Sequence, residues 1–139
     1  MYQIIYASEA TESFSSDQLA ELLTTARRRN RINRLTGMLV FCNQQFLQVL
    51  EGDPADVIAT YDRIAQDPRH QDLMAVHRGY STVGESFAAS SMGFWCSPLD
   101  EQPPRGPSED EVPNFFQFDG LMALDYLTAC AAKLNSVSI

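Results

Sequence analysis

The chain has 139 residues, of which 45% are hydrophobic, and this length suits one domain with its own core. A formal net charge of −8 argues against a nucleic-acid backbone as the main partner. No apolar run approaches the roughly 18 residues of a membrane span, and the N-terminus lacks a basic signal segment, so we expect a cytoplasmic protein without membrane contact. The three cysteines are far apart and lack ligand spacing, which disfavours disulfides and zinc.

The first third of the chain predicts a strand followed by a helix. Residues 2–7 alternate with apolar groups on both faces, which predicts a short first strand. Ser15 and Gln18 have the spacing of a capping box, so a helix is predicted from about residue 16 to about residue 32. Five arginines between residues 27 and 34 close this helix, and they favour a solvated helix end over a phosphate-binding patch. On local grounds Asn30 is a helix-terminating residue.

The next segment is a predicted hairpin, residues 35–42 and 45–52, whose second strand contains Gln48. Because side chains alternate along a strand, Gln48 shares one face with Phe46 and Leu50, and Leu47 and Val49 occupy the other. An amide buried there without partners costs about 1–3 kcal/mol. Gln48 therefore has either a ligand or a plain structural explanation, such as an edge position or a neighbouring hydroxyl.

Further elements complete a recognisable order. Asp53 and Pro54 are a strong helix start, and this helix must end before Pro68. Two extended segments are predicted at about 73–82 and 86–95, which gives the order βαββαββ of an α+β, ferredoxin-like sandwich with both long helices on one face of a mixed sheet. Residues 97–113 are rich in proline, glycine and acid, as in a linker. A last helix comes next, and its apolar stripe is expected to cover the other sheet face: Leu121, Leu124, Leu127, Ala131 and Leu134.

Catalytic motifs are missing from the sequence. It contains no GxSxG, HExxH, P-loop or GxGxxG pattern, and its only histidines are His70 and His77. The segment after the first strand is acidic and has no glycine, which argues against the anion loop of an acylphosphatase. We therefore expect a protein that is not an enzyme.

Five segments occur in an order and spacing that closely resemble the BLUF domain, the blue-light sensor that uses FAD. They are IIYAS at 4–8, Asn30 with LTGML at 35–39, FLQVLEG at 46–52, DPRH at 67–70 and SM at 91–92. The resemblance covers about residues 2–97. It implies a flavin-binding domain at 1–97 and, at 98–139, a linker with a C-terminal helical extension similar to that of short, stand-alone BLUF proteins.

The resemblance also implies a cofactor site for FAD between the two long helices. Leu22 and Ile64 would contact the two faces of the ring, Asn30 would pair with its carbonyl and N3 edge, and Arg63 would donate towards its pyrimidine end. The full implied set of flavin-binding residues is Tyr6, Leu22, Asn30, Phe46, Gln48, Arg63, Ile64, Asp67, Arg69, His70 and Met92.

Three of these residues, Tyr6, Gln48 and Met92, would form a photochemical switch. The resemblance implies that light drives electron and proton exchange between Tyr6 and the flavin, after which Gln48 rotates or tautomerises and absorption shifts to the red. An amide suits this role because reversing it exchanges a donor and an acceptor without changing charge. Ser90 stands where many relatives carry tryptophan and Arg29 where some carry asparagine, and both differences concern signalling more than flavin binding.

The expected output is a change in protein association, with the last helix as the relay. The partner would be a downstream signalling protein or further copies of the chain, because no effector domain is visible in the sequence. The alternative is a ferredoxin-like regulatory module without photochemistry, in which Gln48 and Asn30 are satisfied core polar groups. A flavin-dependent redox enzyme is a third option that no sequence feature supports.

Overall fold

The computed structural model describes residues 1–11, 15–42, 44–80, 93–96 and 114–137. The elements in chain order are β1 (Tyr2–Ala10), α1 (Ser16–Ile32), β2 (Thr36–Cys42), β3 (Gln45–Gly52), α2 (Pro54–Ala65), β4 (His70–Tyr80), β5 (Gly93–Cys96), a one-turn 3-10 helix (Phe115–Gln117) and α3 (Gly120–Val137). The first seven have the predicted βαββαββ order.

One five-stranded sheet, in the order β4-β1-β3-β2-β5, forms the centre of the fold. Neighbouring strands among the first four are antiparallel, and β5 is parallel to β2, so the sheet is mixed as predicted. Side chains from both α1 and α2 join one core cluster with Ile4, Leu39 and Leu50 of the sheet. Both helices therefore cover the same face, and the prediction of an α+β, ferredoxin-like fold is confirmed.

Both predicted helix starts are present. The Ser15 side chain accepts a hydrogen bond from the Gln18 backbone N–H at 3.1 Å, and the Gln18 side chain accepts one from the Ser15 N–H at 2.8 Å, which completes the capping box. At α2 the Asp53 carboxylate accepts from the Ala55 N–H at 3.1 Å, and Pro54 occupies the first helical position. These local hydrogen bonds determine the residue at which each helix begins.

The opposite sheet face is covered by the 3-10 helix and α3. Ile5, Val40 and Val49 pack there with Phe115 and Leu127, all of them fully buried. The prediction that the last helix covers this face is confirmed.

The predicted contact face of α3 was partly wrong. Leu121 is 71% exposed, whereas the buried residues are Ala123, Tyr126, Leu127 and Cys130. The ring centroid of Tyr126 lies 5.5 Å from those of Phe115 and Phe118. The small side chains of Ala123 and Cys130 let the helix approach the sheet closely. Leu124 and Ala131 are partly buried at the margin, and the side chain of Leu134 lies outside the described residues.

Two strand boundaries also differ from the prediction. β1 continues to Ala10 instead of ending near residue 7, and β4 begins at His70 instead of residue 73. The two extensions have one cause, because Glu9 and Ala10 pair with Gln71 and His70. Of the predicted fifth strand, residues 86–92, with Ser90 and Met92, lie outside the described residues, as does most of the predicted linker.

Two further expectations concern the cysteines and membrane contact. Cys42 and Cys130 are buried, consistent with small core residues. Within the described ranges, no helix combines the length and the apolar character needed to cross a membrane.

Candidate functional site

A cleft opens between α1 and α2 above the sheet, with about 630 Å³ of empty space, part of it open to solvent. The sheet supplies the floor, with Tyr6 from β1, Leu39 from β2 and Gln48 and Leu50 from β3. The two helices and the turn after α2 supply the walls.

A buried polar pair lies in the cleft floor. Tyr6 on β1 and Gln48 on β3 are directly opposite each other in the antiparallel register, and their side chains are only 1% and 4% exposed. The Tyr6 hydroxyl donates a hydrogen bond to Oε1 of Gln48. The sequence suggested a neighbouring hydroxyl as one structural explanation for Gln48. That hydroxyl belongs to Tyr6, which is itself a predicted site residue.

Tyr6 is held in its neutral form. Burial raises the pKa of Tyr6 well above the ordinary value of 10, and the nearby Tyr61 and Asp67 raise it further. The Tyr61 ring packs edge-on to Tyr6 with centroids 5.7 Å apart. The phenol therefore keeps its proton at neutral pH and is a hydrogen-bond donor in the cleft.

The walls combine apolar and polar groups. Leu22 on α1 and Ile64 on α2 both line the cleft, as the family resemblance implied. Asn30 also lines it and is 2% exposed, while its backbone carbonyl accepts from the Leu35 N–H at 2.8 Å. Asn30 thus lies in the last turn of α1, which ends at Ile32, and also lines the cleft. Arg63 is an exposed member of the α2 wall.

Three residues after α2 complete the rim. Arg69 forms an ion pair with Asp67 at 2.6 Å, and its hydrogen bonds hold the pKa of Asp67 below the usual value. Nδ1 of His70 lies 2.8 Å from the Ser8 hydroxyl, and burial lowers the pKa of His70, so the neutral ring is favoured. All three line the cleft.

The structure gathers all but two of the predicted cofactor residues around this cleft. Phe46 does not line it; the side chain is fully buried, with its ring centroid 4.7 Å from those of Phe41 and His70. Met92 lies outside the described residues. The lining residues that the sequence analysis did not assign to the site are Thr25, Ala26, Arg29, Leu39, Leu50 and Thr60. Those on α1 lie three, four and seven residues after Leu22, so helical spacing was the signal for them.

Residues 1–93 match the family described as "BLUF: Sensors of blue-light using FAD". This match spans well over half of the chain. The chain belongs to the BLUF family. Its function as a blue-light sensor and FAD as its cofactor are the properties of that family, and both predictions are confirmed.

The BLUF relatives include much longer proteins. The chain is 43% identical over 74 residues to photoactivated adenylate cyclase subunit beta of Euglena gracilis. The matched segment covers 53% of this chain and 9% of that protein. It is 33% identical over 99 residues to the blue light- and temperature-regulated antirepressor BluF of Escherichia coli. This segment covers 71% of this chain and 24% of that protein. The chain thus spans about a tenth and a quarter of these two relatives.

Two solved BLUF structures share the fold along most of their length. The dark-state structure of BlrB matches with a TM-score of 0.77 at 21% identity and covers 96% of both chains. The photo-activated state of BlsA matches with a TM-score of 0.74 at 24% identity and covers 91% of both chains. At these identities the likeness establishes the fold alone.

Proposed function

We propose that the isoalloxazine ring of FAD lies in the cleft between α1 and α2, and that Tyr6 and Gln48 are the groups that respond to light. The observation that carries this proposal is the hydrogen bond from the buried Tyr6 hydroxyl to Gln48 Oε1 in the cleft floor. An oxidisable phenol and a reversible amide are thereby in direct contact beneath the space that a ring would fill.

The residues present suit a planar aromatic ligand with one polar edge. Apolar side chains face the cleft from both helices, Leu22 on one side and Ile64 on the other. The Asn30 amide offers both a donor and an acceptor, and the Arg63 guanidinium is a planar cation suited to carbonyl and anionic oxygens. We assign Asp67, Arg69 and His70 to the rim of the same site.

Bound FAD would supply the absorption of blue light and an electron-accepting excited state at this position. The chain's own side chains control the proton and the hydrogen bonds. The raised pKa keeps the proton on Tyr6 in the resting state. Loss of an electron to the excited flavin would make the phenol strongly acidic, so that the proton could leave along the hydrogen bond towards Gln48 Oε1. Reversal of the Gln48 amide exchanges its donor and acceptor ends and rewires the hydrogen bonds of the cleft floor at constant net charge.

The test is the absorption spectrum of the purified protein in the dark and after blue light. We expect a reversible red shift in the wild type, and retained flavin without the shift in Tyr6→Phe and in Gln48→Leu. Tyr61→Phe is the matched control, because it removes a hydroxyl from the ring that packs against Tyr6, and it should keep the shift.

Three outcomes would contradict this assignment. A normal red shift in Tyr6→Phe or Gln48→Leu would overturn the role of that residue in the switch. A colourless wild type would favour the regulatory module without photochemistry. A flavin that NAD(P)H bleaches would favour a redox enzyme.

For the output, we propose that residues 1–97 form the flavin-binding domain and that the helical extension within 98–139 carries the signal to a protein partner. The partner would be a downstream signalling protein or a second copy of the chain. Strand β3 supports this route, because Gln48 lines the cleft while Leu47 and Val49 pack on the α3 side. At the start of the same strand, the Gln45 side chain accepts a hydrogen bond from the Phe115 backbone N–H at 2.8 Å. Met92 stays a predicted member of the switch.

The route can be tested at Gln45. Gln45→Ala should keep the red shift and reduce any light-dependent change in assembly measured by size-exclusion chromatography with light scattering. If the variant responds like the wild type, this hydrogen bond is not part of the route.

A further inference from the structure

One hydroxyl in the wall of the cleft has no hydrogen-bond partner within the described part of the chain. Thr60 lies in the middle of α2, lines the cleft and is 5% exposed. Its Oγ1 is buried and bonds to no atom among the described residues. Burying an unbonded hydroxyl is unfavourable, and proteins satisfy the great majority of such groups.

Two other helical threonines of the chain show how such a hydroxyl is normally satisfied. Thr24 donates to the carbonyl of Ala20 at 2.9 Å, and Thr128 donates to the carbonyl of Leu124 at 2.7 Å, each four residues back. Thr60 has the carbonyl of Asp56 at the same spacing and makes no such bond. Its hydroxyl therefore stays available to a group that enters the cleft.

The position of Thr60 points to the ring end of a flavin. Arg63 and Ile64 lie three and four residues after it, so the three side chains share one face of α2, and all three line the cleft. Thr60 is the most deeply buried of the three. We propose that Thr60 Oγ1 donates a hydrogen bond to a polar atom at the edge of the isoalloxazine ring. This inference rests on the proposed location of FAD in the cleft.

The first test compares flavin affinity in variants of the full chain. Thr60→Val keeps the shape and removes the hydroxyl, and we expect its dissociation constant for FAD to rise about tenfold. Riboflavin contains the same ring without the adenine nucleotide, so its dissociation constant should rise by the same factor. Thr60→Ser keeps the hydroxyl and should stay within about threefold of the wild type. Thr24→Val is the control and should bind both flavins normally.

The second test uses thermal unfolding and predicts an effect of opposite sign. In flavin-free protein, Thr60→Val removes an unbonded buried hydroxyl, so its unfolding midpoint should rise by about 2–5 °C. With saturating FAD this gain should shrink or reverse, because the variant loses a bond to the ligand. A side chain that only packs would not change sign on flavin binding.

Four results would overturn the inference. If the wild type binds FAD and Thr60→Val binds it equally tightly, Thr60 does not form the proposed hydrogen bond. A loss seen for FAD but not riboflavin places the contact away from the ring. An equal loss in Thr60→Ser and Thr60→Val indicates packing alone. A wild type that binds neither flavin overturns the proposed function itself. If Thr60→Val does not fold, Thr60→Ala, with its higher helix propensity, undergoes the same measurements.

Discussion

The packing of α3 on the sheet can be tested with two identical chemical changes on one helix. Leu127 is fully buried in the cluster between α3 and the sheet, whereas Leu121, six residues earlier, is 71% exposed. Leu127→Ala removes buried methyl groups and leaves a cavity, which costs about 2–5 kcal/mol of unfolding free energy. Leu121→Ala should stay within about 0.5 kcal/mol of the wild type.

Urea and thermal unfolding of the two variants give the comparison directly. In a domain of this size, 1 kcal/mol corresponds to a midpoint shift of about 3–5 °C, so Leu127→Ala should lower Tm by about 6–25 °C and Leu121→Ala by less than about 3 °C. Below its unfolding transition, Leu127→Ala should keep the light-induced red shift, because α3 and the cleft are on opposite sheet faces. If Leu121→Ala were as costly as Leu127→Ala, the assignment of the buried face of α3 would be wrong.

Individual side chains give three further predictions. The hydroxyl of Tyr126 is buried without a partner among the described residues, so Tyr126→Phe should raise the unfolding free energy by about 1 kcal/mol, and a loss of stability in urea would contradict this. Burial lowers the pKa of His70 from its ordinary 6.5, so unfolding takes up a proton as the pH falls below about 6.5, and stability drops with it by at most about 1.4 kcal/mol per pH unit. His70→Gln should flatten that slope below about pH 6.5, and an unchanged slope would assign it to another group. Asp53→Ala should cost about 1 kcal/mol, because the Ala55 N–H loses its cap, whereas Asp53→Asn should cost less.

Features that depend on a few consecutive residues were predictable from the sequence. The Ser15–Gln18 capping box and the Asp53 cap both form where predicted, because each bond joins groups two or three residues apart. The two faces of β3 also result from alternation alone, with Gln48 towards the cleft and Val49 towards α3. Local geometry therefore determines these helix starts and strand faces, and contacts with the rest of the fold alter them little.

The family resemblance, carried by five separated motifs, predicted the fold and most of the cleft. It placed Phe46 in the flavin site, whereas the Phe46 ring packs against Phe41 and His70 and does not line the cleft. It also gave no role to Thr60, whose hydroxyl stands out only because the structure shows that it makes no bond along its own helix. A residue type and a spacing do not specify whether a side chain is satisfied.

The sequence by itself determined the order of elements, the helix starts and the two faces of the hairpin, since these depend on short-range sterics and hydrogen bonds. Only the tertiary structure decided which side of α3 is buried and where β1 and β4 end. Apolar residues lie at helical spacing on more than one side of α3, and close packing against the sheet selects Ala123, Tyr126, Leu127 and Cys130 over Leu121. β1 and β4 extend to Ala10 and His70 because each strand supplies the other's hydrogen-bonding partners. Pairing between distant segments is a property of the folded chain, and no local pattern records it.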